Sequence, residues 1–171
     1  MPESDLIRRT QAGDQAAFAQ LFAAHRERAF RTACLITQDR SLAEDMTQEA
    51  FVRAYLHISR CDPDRPFLPW LLRILINLCR NAVKRRGRSV QVAAMDLAVG
   101  DTTAAVDDRE MLWQALLRLE PRHRDVLMLR YYHDLSDVEI AEALAIPAGT
   151  VKSRLHSARG LLARLVGGAA L

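Results

Sequence analysis

The chain carries no glycine between Gly13 and Gly87, and throughout this stretch apolar residues recur three to four positions apart. That spacing places them on one face of an α-helix. Neither alternating β-branched runs nor hairpin dipeptides nor internal repeats compete with the pattern. It predicts an all-α fold. The apolar positions are Phe18, Leu21, Phe22, Ala29, Ala33, Leu42, Met46, Ala50, Ala54 and Ile58.

Residues 89–107 interrupt the helical pattern. They combine small residues with three aspartates and contain no Lys or Arg. Such a composition is typical of a linker. After it the helical period resumes with Met111, Leu112, Ala115 and Leu116. We therefore predict a helical domain over 1–88, an acidic flexible linker over 89–107, and a second helical domain over 108–171.

The charge distribution follows this division. Overall, 24 Lys and Arg against 21 Asp and Glu give a net charge of only +3. By segment, the net charges are +5 up to Arg88, −3 in the linker and +1 from Asp108 onward. Basic residues concentrate in two acid-free stretches, residues 73–88 and the chain after Glu142. We expect two basic helices, one per domain.

The second domain has the local signals of a helix-turn-helix. Pro121 suits the first position of a helix. Ser136 and Glu139 form a capping box that starts a short helix with Ile140, Ala141 and Leu144 facing inward. Residues 145–149 then break this helix, and a second one begins near Thr150.

The second of these helices separates apolar from polar residues. Small polar side chains flanked by cations suit a helix in a DNA major groove, where the centre reads bases and the margins contact phosphates. The alternative is a solvated face in a helical bundle. The packing side is Ala148, Val151, Leu155, Ala158, Leu162 and Leu165, and the opposite side is Lys152, Ser153, Arg154, His156, Ser157, Arg159 and Gly160.

A helix predicted over 67–86 carries a second basic surface. Asparagine amides framed by cations can read bases. Trp70 lies on the same side and is either a core residue or a stacking platform for an unpaired base. The polar arc contains Arg73, Asn77, Arg80, Asn81, Lys84 and Arg88, and the predicted buried side contains Leu71, Ile74, Leu75, Leu78 and Ala82.

Two further features precede this helix. A polar loop over 58–67 contains two prolines and can shape a pocket. The helix before it is predicted to open with a capping box, Ser41 to Glu44. Its acidic face, with Asp45, Gln48, Glu49 and Arg53, is either a docking surface for a protein partner or a plain solvated face.

Four segments, in order along the chain, resemble the extracytoplasmic function (ECF) class of bacterial RNA polymerase sigma factors. SLAEDMTQEAF at 41–51 is similar to that family's D-A-E-D-L-V-Q-E-V/A-F segment. RPFLPWLLRI at 65–74 resembles R-P-F-x-x-W-L-x-R-I. LSDVEIA at 135–141 and GTVKSRL at 149–155 are similar to L-S-Y-E-E-I-A and G-T-V-K-S-R-L.

This resemblance implies a role for each segment. The first domain (residues 1–88), as sigma region 2, would dock on the clamp helices of the largest subunit of core RNA polymerase, then recognise and help open the −10 promoter element. The second domain (residues 108–171), as sigma region 4, would read the −35 element, with the polymerase flap as a further contact, and the linker would run toward the RNA exit path. An anti-sigma factor is the expected further partner. The implied docking residues are Glu44, Asp45, Gln48, Glu49 and Arg53; those at −10 are Arg65, Trp70, Arg73, Asn77, Arg80, Asn81 and Lys84; those at −35 are Thr150, Lys152, Ser153, Arg154, His156, Ser157 and Arg159.

Some positions depart from the family pattern. Ala145 and Asp134 stand where glycine is usual, and alanine in a left-handed conformation costs about 1–2 kcal/mol. Ser157 replaces an arginine common in relatives, which removes a strong guanine contact. His156 and Ser153 are expected to read that position instead.

Other functional classes explain less of the chain. A two-component or quorum-type regulator would account for residues 121–165 but not for the first domain. His57 and Cys61 could share a metal or serve a redox sensor, yet two ligands do not complete a zinc site. We expect no metal, no cofactor and no enzymatic activity, because phosphate-loop and hydrolase motifs are missing. The odd cysteine number and the lack of a long apolar run predict a cytoplasmic protein without membrane insertion.

Overall fold

The computed structural model describes residues 1–86 and 111–167, which contain helices and no strand. The all-α prediction is confirmed. The described residues divide into two compact units, one built on residues 1–86 and the other on most of residues 111–167. The predicted linker over 89–107 lies outside the described residues. The elements are α1 (Glu3–Gln11), α2 (Gln15–Thr37), α3 (Arg40–Leu56), a 3-10 turn (Ile58–Arg60), α4 (Phe67–Arg86), α5 (residues 111–117), α6 (Pro121–Leu127), a π-type turn (Met128–Tyr132), α7 (Asp137–Leu144) and α8 (Ala148–Gly167).

In the first unit, α2, α3 and α4 pack against one another, and α1 packs on α2. Seven of the ten predicted apolar positions are buried in the core, whereas Phe18, Phe22 and Met46 are only half-buried. The buried face of α4 is rotated relative to the prediction. Leu72, Ile76 and Cys79 are fully buried there, whereas Ile74 and Leu78 are only half-buried.

The predicted capping box of α3 is wrong. The helix begins one residue before Ser41, at Arg40, and its N-cap is Asp39, whose carboxylate accepts from the backbone N–H of Leu42 at 2.9 Å. Glu44 instead forms an ion pair with Arg40 one turn away, at 3.3 Å. Asp competes with Ser for the cap position because both have a short side-chain acceptor.

The capping box of α7 is confirmed. The Ser136 N–H donates to the Glu139 carboxylate at 2.8 Å, and the Glu139 N–H donates back to the Ser136 hydroxyl at 3.3 Å. Pro121 occupies the start of α6, as predicted. The second helix of the helix-turn-helix begins at Ala148, slightly before the predicted Thr150.

The two turns that flank α7 adopt left-handed backbone conformations. Asp134 has φ of 56° and Ala145 has φ of 53°. At the end of α7, the N–H of Ile146 donates to the carbonyl of Ala141 at 3.0 Å, the long bond of a Schellman cap. Both glycine-replacing positions are therefore left-handed, and the strain falls mainly on Ala145, because aspartate tolerates this conformation better than alanine. No helix within the described parts of the chain is both long and apolar enough to cross a membrane.

Candidate functional site

The outer surface of α4 presents the polar arc predicted from the sequence. Four of its side chains are exposed and Arg80 is half-buried. The opposite face of the helix is buried in the core of the unit. This arrangement leaves two asparagine amides accessible between cations, the chemistry that reads base edges and contacts phosphates. The exposed residues are Arg73, Asn77, Asn81 and Lys84.

Trp70 lies at the start of this arc and is half-buried. Its ring packs on Phe67 with the centroids 5.7 Å apart. Phe67 is fully buried and contacts His25, whose ring centroid is 5.4 Å away. The indole therefore rests on the core while part of its surface remains accessible on the polar side.

The last basic residue described in α4 has a local partner. The guanidinium of Arg86 pairs with the carboxylate of Asp39 at 2.5 Å. This contact and the hydrogen bond from the Leu42 backbone N–H, which is the larger effect, lower the pKa of Asp39 below its usual range. Arg86 thus joins the end of α4 to the start of α3. Arg88, predicted to extend the arc, lies outside the described residues.

The α3–α4 loop, residues 57–66, presents Arg60 and Arg65 on its exposed surface while Ile58 and Cys61 are buried. The loop is held by α1, which the sequence analysis did not single out. The amide of Gln11 donates to the carbonyls of Ile58 and Cys61 at 3.0 and 2.8 Å. These contacts join residues far apart in the chain, so no local signal reveals them.

The exposed face of α3 combines acidic and apolar groups. Asp45 and Gln48 are exposed, and Glu49 pairs with Arg53 at 2.6 Å. On the same stripe, Val52 is 54% exposed and Leu56 is 68% exposed. Sequence reasoning missed these two apolar residues, although their spacing from Asp45 places them on its face. Exposed apolar groups beside charges favour a protein-docking surface over a plain solvated face.

On α8, the apolar and polar sides separate largely as predicted. Val151, Leu155 and Ala158 are buried. Ala148 is exposed, contrary to prediction, because it lies at the first turn of the helix. The exposed residues among those expected at the −35 element are Lys152, Ser153, His156, Ser157 and Arg159, and the half-buried ones are Thr150 and Arg154.

Arg159 has an ordered environment that the sequence did not reveal. Its Nε donates to the hydroxyl of Tyr131 at 2.7 Å, and its guanidinium carbon lies 5.7 Å from the centroid of the same ring. Tyr131, from the π-type turn, is 63% exposed. A cation over an aromatic face is held in a restricted orientation. Tyr131 is therefore positioned to orient the terminal nitrogens of Arg159.

The geometry disfavours a metal or redox role for the pair His57 and Cys61. His57 is exposed, while Cys61 is buried. Burial, reinforced by the nearby Glu3 and Asp62 carboxylates, raises the pKa of the Cys61 thiol to about 11. The thiol is therefore protonated near neutral pH, and the thiolate is the form that binds metals and reacts with oxidants.

Two family models match the chain. Residues 21–89 match sigma-70 region 2, and residues 109–162 match sigma-70 region 4. The chain is similar to the ECF RNA polymerase sigma factor SigW of Bacillus subtilis, with 31% identity over 91% of this chain and 92% of SigW. It is 32% identical to SigM of Mycobacterium tuberculosis, over 96% of this chain and 85% of SigM.

Solved structures agree in fold. CnrH in complex with the cytosolic domain of CnrY matches with a TM-score of 0.76 and 27% identity, over 98% of this chain and 99% of CnrH. RpoE of Bartonella quintana, in complex with the anti-sigma factor NepR, matches with a TM-score of 0.75 and 24% identity, over 88% of this chain and 96% of RpoE. The chain belongs to the ECF class of RNA polymerase sigma factors. It is an alternative sigma factor, in a family that binds core RNA polymerase and promoter DNA.

Proposed function

We propose that this protein docks on core RNA polymerase through the α3 face, opens the −10 element with the α3–α4 loop and α4, and reads the −35 element with α8. The observation that carries the proposal is the pair of exposed basic helix surfaces, one in each compact unit. We further assign residues 1–88 to docking and melting, 89–107 to a linker and 108–171 to −35 binding. The protein has no catalytic step of its own and acts in the cytoplasm.

Docking would use Asp45, Gln48 and Glu49 around Val52 and Leu56. The two exposed aliphatic side chains supply area that gains free energy when buried by a partner. The carboxylates around them set the orientation of approach. The intrahelical pairs of Glu44 with Arg40 and Glu49 with Arg53 keep part of this charge balanced. The polymerase clamp helices are the proposed partner.

Promoter melting would use the α4 arc and the loop. Asn77 and Asn81 are exposed and would hydrogen-bond with bases, while the exposed Arg73 and Lys84, with the half-buried Arg80, would contact phosphates. The half-buried indole of Trp70 offers a partial stacking surface for an unpaired base. Arg65 is exposed on the adjoining loop. Together these groups suit single-stranded DNA better than a smooth duplex backbone.

Region 4 would place α8 in the major groove. Ser153, His156 and Ser157 occupy the centre of the exposed face, with Lys152 and Arg159 at one margin. An anti-sigma factor is a further proposed partner, supported by similarity to CnrH, which was solved with the cytosolic domain of CnrY. Such a partner would cover surfaces that face polymerase or DNA.

The test is runoff transcription with purified bacterial core RNA polymerase on genomic fragments. We expect transcripts from a small set of promoters that depend on the added protein. A helix-turn-helix regulator would bind DNA but would not give core polymerase new start sites. If no transcript depends on the protein, the proposal is wrong.

A further inference from the structure

Helix α1 makes a set of contacts with the α3–α4 loop that no assigned function explains. The family match begins at residue 21, so α1 lies outside it. The helix is anchored by Ile7, which is fully buried, and by Leu6. Its polar side chains turn toward the loop and toward the first residue of α4.

Gln11 holds the near end of the loop. Its Nε2 donates to the carbonyl of Ile58 at 3.0 Å and to that of Cys61 at 2.8 Å. The Ile58 carbonyl also accepts from the Cys61 backbone N–H at 3.0 Å. The backbone bond closes the 3-10 turn, and the Gln11 amide joins its first carbonyl to the point at which the chain leaves it. Only a donor can serve here, because both partners are carbonyl oxygens.

Glu3 holds the far end. Its Oε2 accepts from the backbone N–H of Phe67 at 2.8 Å, and Phe67 is the first residue of α4. Its Oε1 contacts Nε2 of His25 at 2.7 Å. A carboxylate at a helix N-terminus satisfies an unpaired N–H and interacts favourably with the helix dipole.

The middle of the loop has supports of its own. The Asp62 carboxylate accepts from the Asp64 backbone N–H at 2.9 Å. Arg8 of α1 pairs with Asp64 at 2.5 Å, but both side chains are at least half exposed, so the pair contributes little. The contacts of Gln11 and Glu3 connect the loop and the start of α4 to α1, which is anchored by the buried Leu6 and Ile7.

We propose that α1 is a positioning element for −10 recognition, in which Gln11 and Glu3 hold the α3–α4 loop and the start of α4 in the conformation that contacts DNA. This inference rests on the function proposed above for the loop. Gln11 and Glu3 are positioning residues and touch no DNA themselves. Arg60, Arg65 and Trp70 are the groups whose placement depends on them.

The central experiment compares two substitutions of similar length, Gln11→Glu and Gln11→Lys, in the full chain. Glutamate presents only oxygens to the two carbonyls, whereas lysine still donates. In the free protein, the rate of backbone amide hydrogen exchange over residues 57–66 should rise roughly tenfold in Gln11→Glu and stay near the wild-type rate in Gln11→Lys. The reason is that only Gln11→Glu loses both hydrogen bonds to the loop carbonyls. Gln20→Glu, on the exposed face of α2, is the matched control and should leave loop exchange unchanged.

The functional arm uses holoenzyme assembled with core RNA polymerase. The probe is a single-stranded oligonucleotide carrying the −10 segment of a promoter found by runoff transcription. Gln11→Glu should bind it roughly tenfold more weakly, with unchanged core affinity, and Gln11→Lys should restore binding. Glu3→Gln retains an acceptor for the Phe67 N–H, so it should lose less binding than Glu3→Ala.

Three outcomes would overturn the proposal. Loop exchange in Gln11→Glu could equal wild type, or both Gln11 variants could change it alike, or the loop could loosen without any loss of oligonucleotide binding. If the wild-type holoenzyme transcribes no promoter, the proposed function fails separately. The exchange experiment on the free protein still decides whether α1 orders the loop.

Discussion

At the residue scale, Ala145 carries strain that can be removed. Its φ of 53° is in the left-handed region, where a Cβ is unfavourable and glycine is not. Replacing Ala145 with glycine removes about 1–2 kcal/mol of strain but makes the unfolded chain more flexible. We therefore expect Ala145→Gly to raise the free energy of unfolding by a net amount of about 0.5–1 kcal/mol. Urea unfolding followed by Trp113 fluorescence, in a Trp70→Phe background, would measure it.

The control for this change is Ala163→Gly on the exposed side of α8. Glycine in a helix interior costs about 1 kcal/mol relative to alanine, so this variant should be destabilised. Equal destabilisation by both substitutions would show that Ala145 is not strained.

The cysteine thiols give a second residue-scale prediction. Burial raises the pKa of Cys34 to about 12 and that of Cys61 to about 11, against an ordinary value of 9.0. The folded state thus favours the neutral thiol. Its contribution to stability is fully present below pH 9 and is lost as pH rises toward 11–12. Alkylation by iodoacetamide at pH 8 should be slow in the native protein and fast in urea. Rapid native labelling of either cysteine would contradict this.

At the element scale, the start of α3 distinguishes two capping residues. Asp39→Ala should cost about 1 kcal/mol, because it removes the acceptor for the Leu42 N–H and the partner of Arg86. Ser41→Ala, at the cap first expected from the sequence, should be nearly neutral. Thermal unfolding, monitored by the fluorescence of Trp70 in a Trp113→Phe background, would compare the two variants. A larger loss in Ser41→Ala would contradict the assignment.

The N-cap of α3 also makes the stability of the protein depend on pH. The pKa of Asp39 is lowered by the Leu42 N–H first and Arg86 second, so its stabilisation is present above the unfolded value near 3.8 and is lost as pH falls below it. The Asp39→Ala variant should therefore lose less stability than wild type on acidification through this range.

Helix α8 and the π-type turn act together at Arg159. Tyr131→Phe keeps the ring under the guanidinium but removes the hydroxyl that accepts from its Nε. We expect −35 duplex binding to weaken about fivefold, the effect of losing one hydrogen bond that orients a charged group. In a double-mutant cycle with Arg159→Ala, the two losses should not add.

Two further measurements distinguish the positioning role of Tyr131 from a plain phosphate contact and from an effect on protein stability. Lys152→Ala should reduce the salt dependence of binding by about one phosphate contact, whatever the sequence of the duplex. Tyr131→Phe should leave the unfolding free energy of the second unit nearly unchanged. Additive losses in the cycle would show that Tyr131 and Arg159 act independently.

At the scale of the whole molecule, we expect different substitutions to abolish docking on core RNA polymerase and opening of the −10 element. Leu56→Asp should abolish core polymerase binding, because it places a charge in an apolar contact, while −35 duplex binding by the free protein persists. Asn77→Ala with Asn81→Ala should keep core binding and lose permanganate reactivity of the −10 thymines. Glu27→Lys, an exposed charge change on α2, is the control for Leu56→Asp. Loss of core binding in the asparagine variant would indicate a folding role instead.

Much of this organisation could be predicted because its causes are local. The Ser136–Glu139 box, Pro121 at the start of α6 and the span of α4 all depend on residues within one or two helical turns. The exposed arc of α4 followed from helical period alone. At the start of α3 the sequence prediction selected Ser41, whereas Asp39, two residues earlier, is the cap.

Tertiary structure decided what lies far apart in the chain. Glu3 and Phe67 are 64 positions apart, Gln11 and Ile58 are 47 apart, and Tyr131 and Arg159 are 28 apart. Helical period also predicted two sides for α4, but the way α2 and α3 pack selected which aliphatic residues are fully buried. The sequence by itself determined that the chain is helical, the Ser136–Glu139 cap of α7 and the charges that the helices display. Only packing determined which side chains orient the loop and Arg159, because those contacts form when distant helices meet.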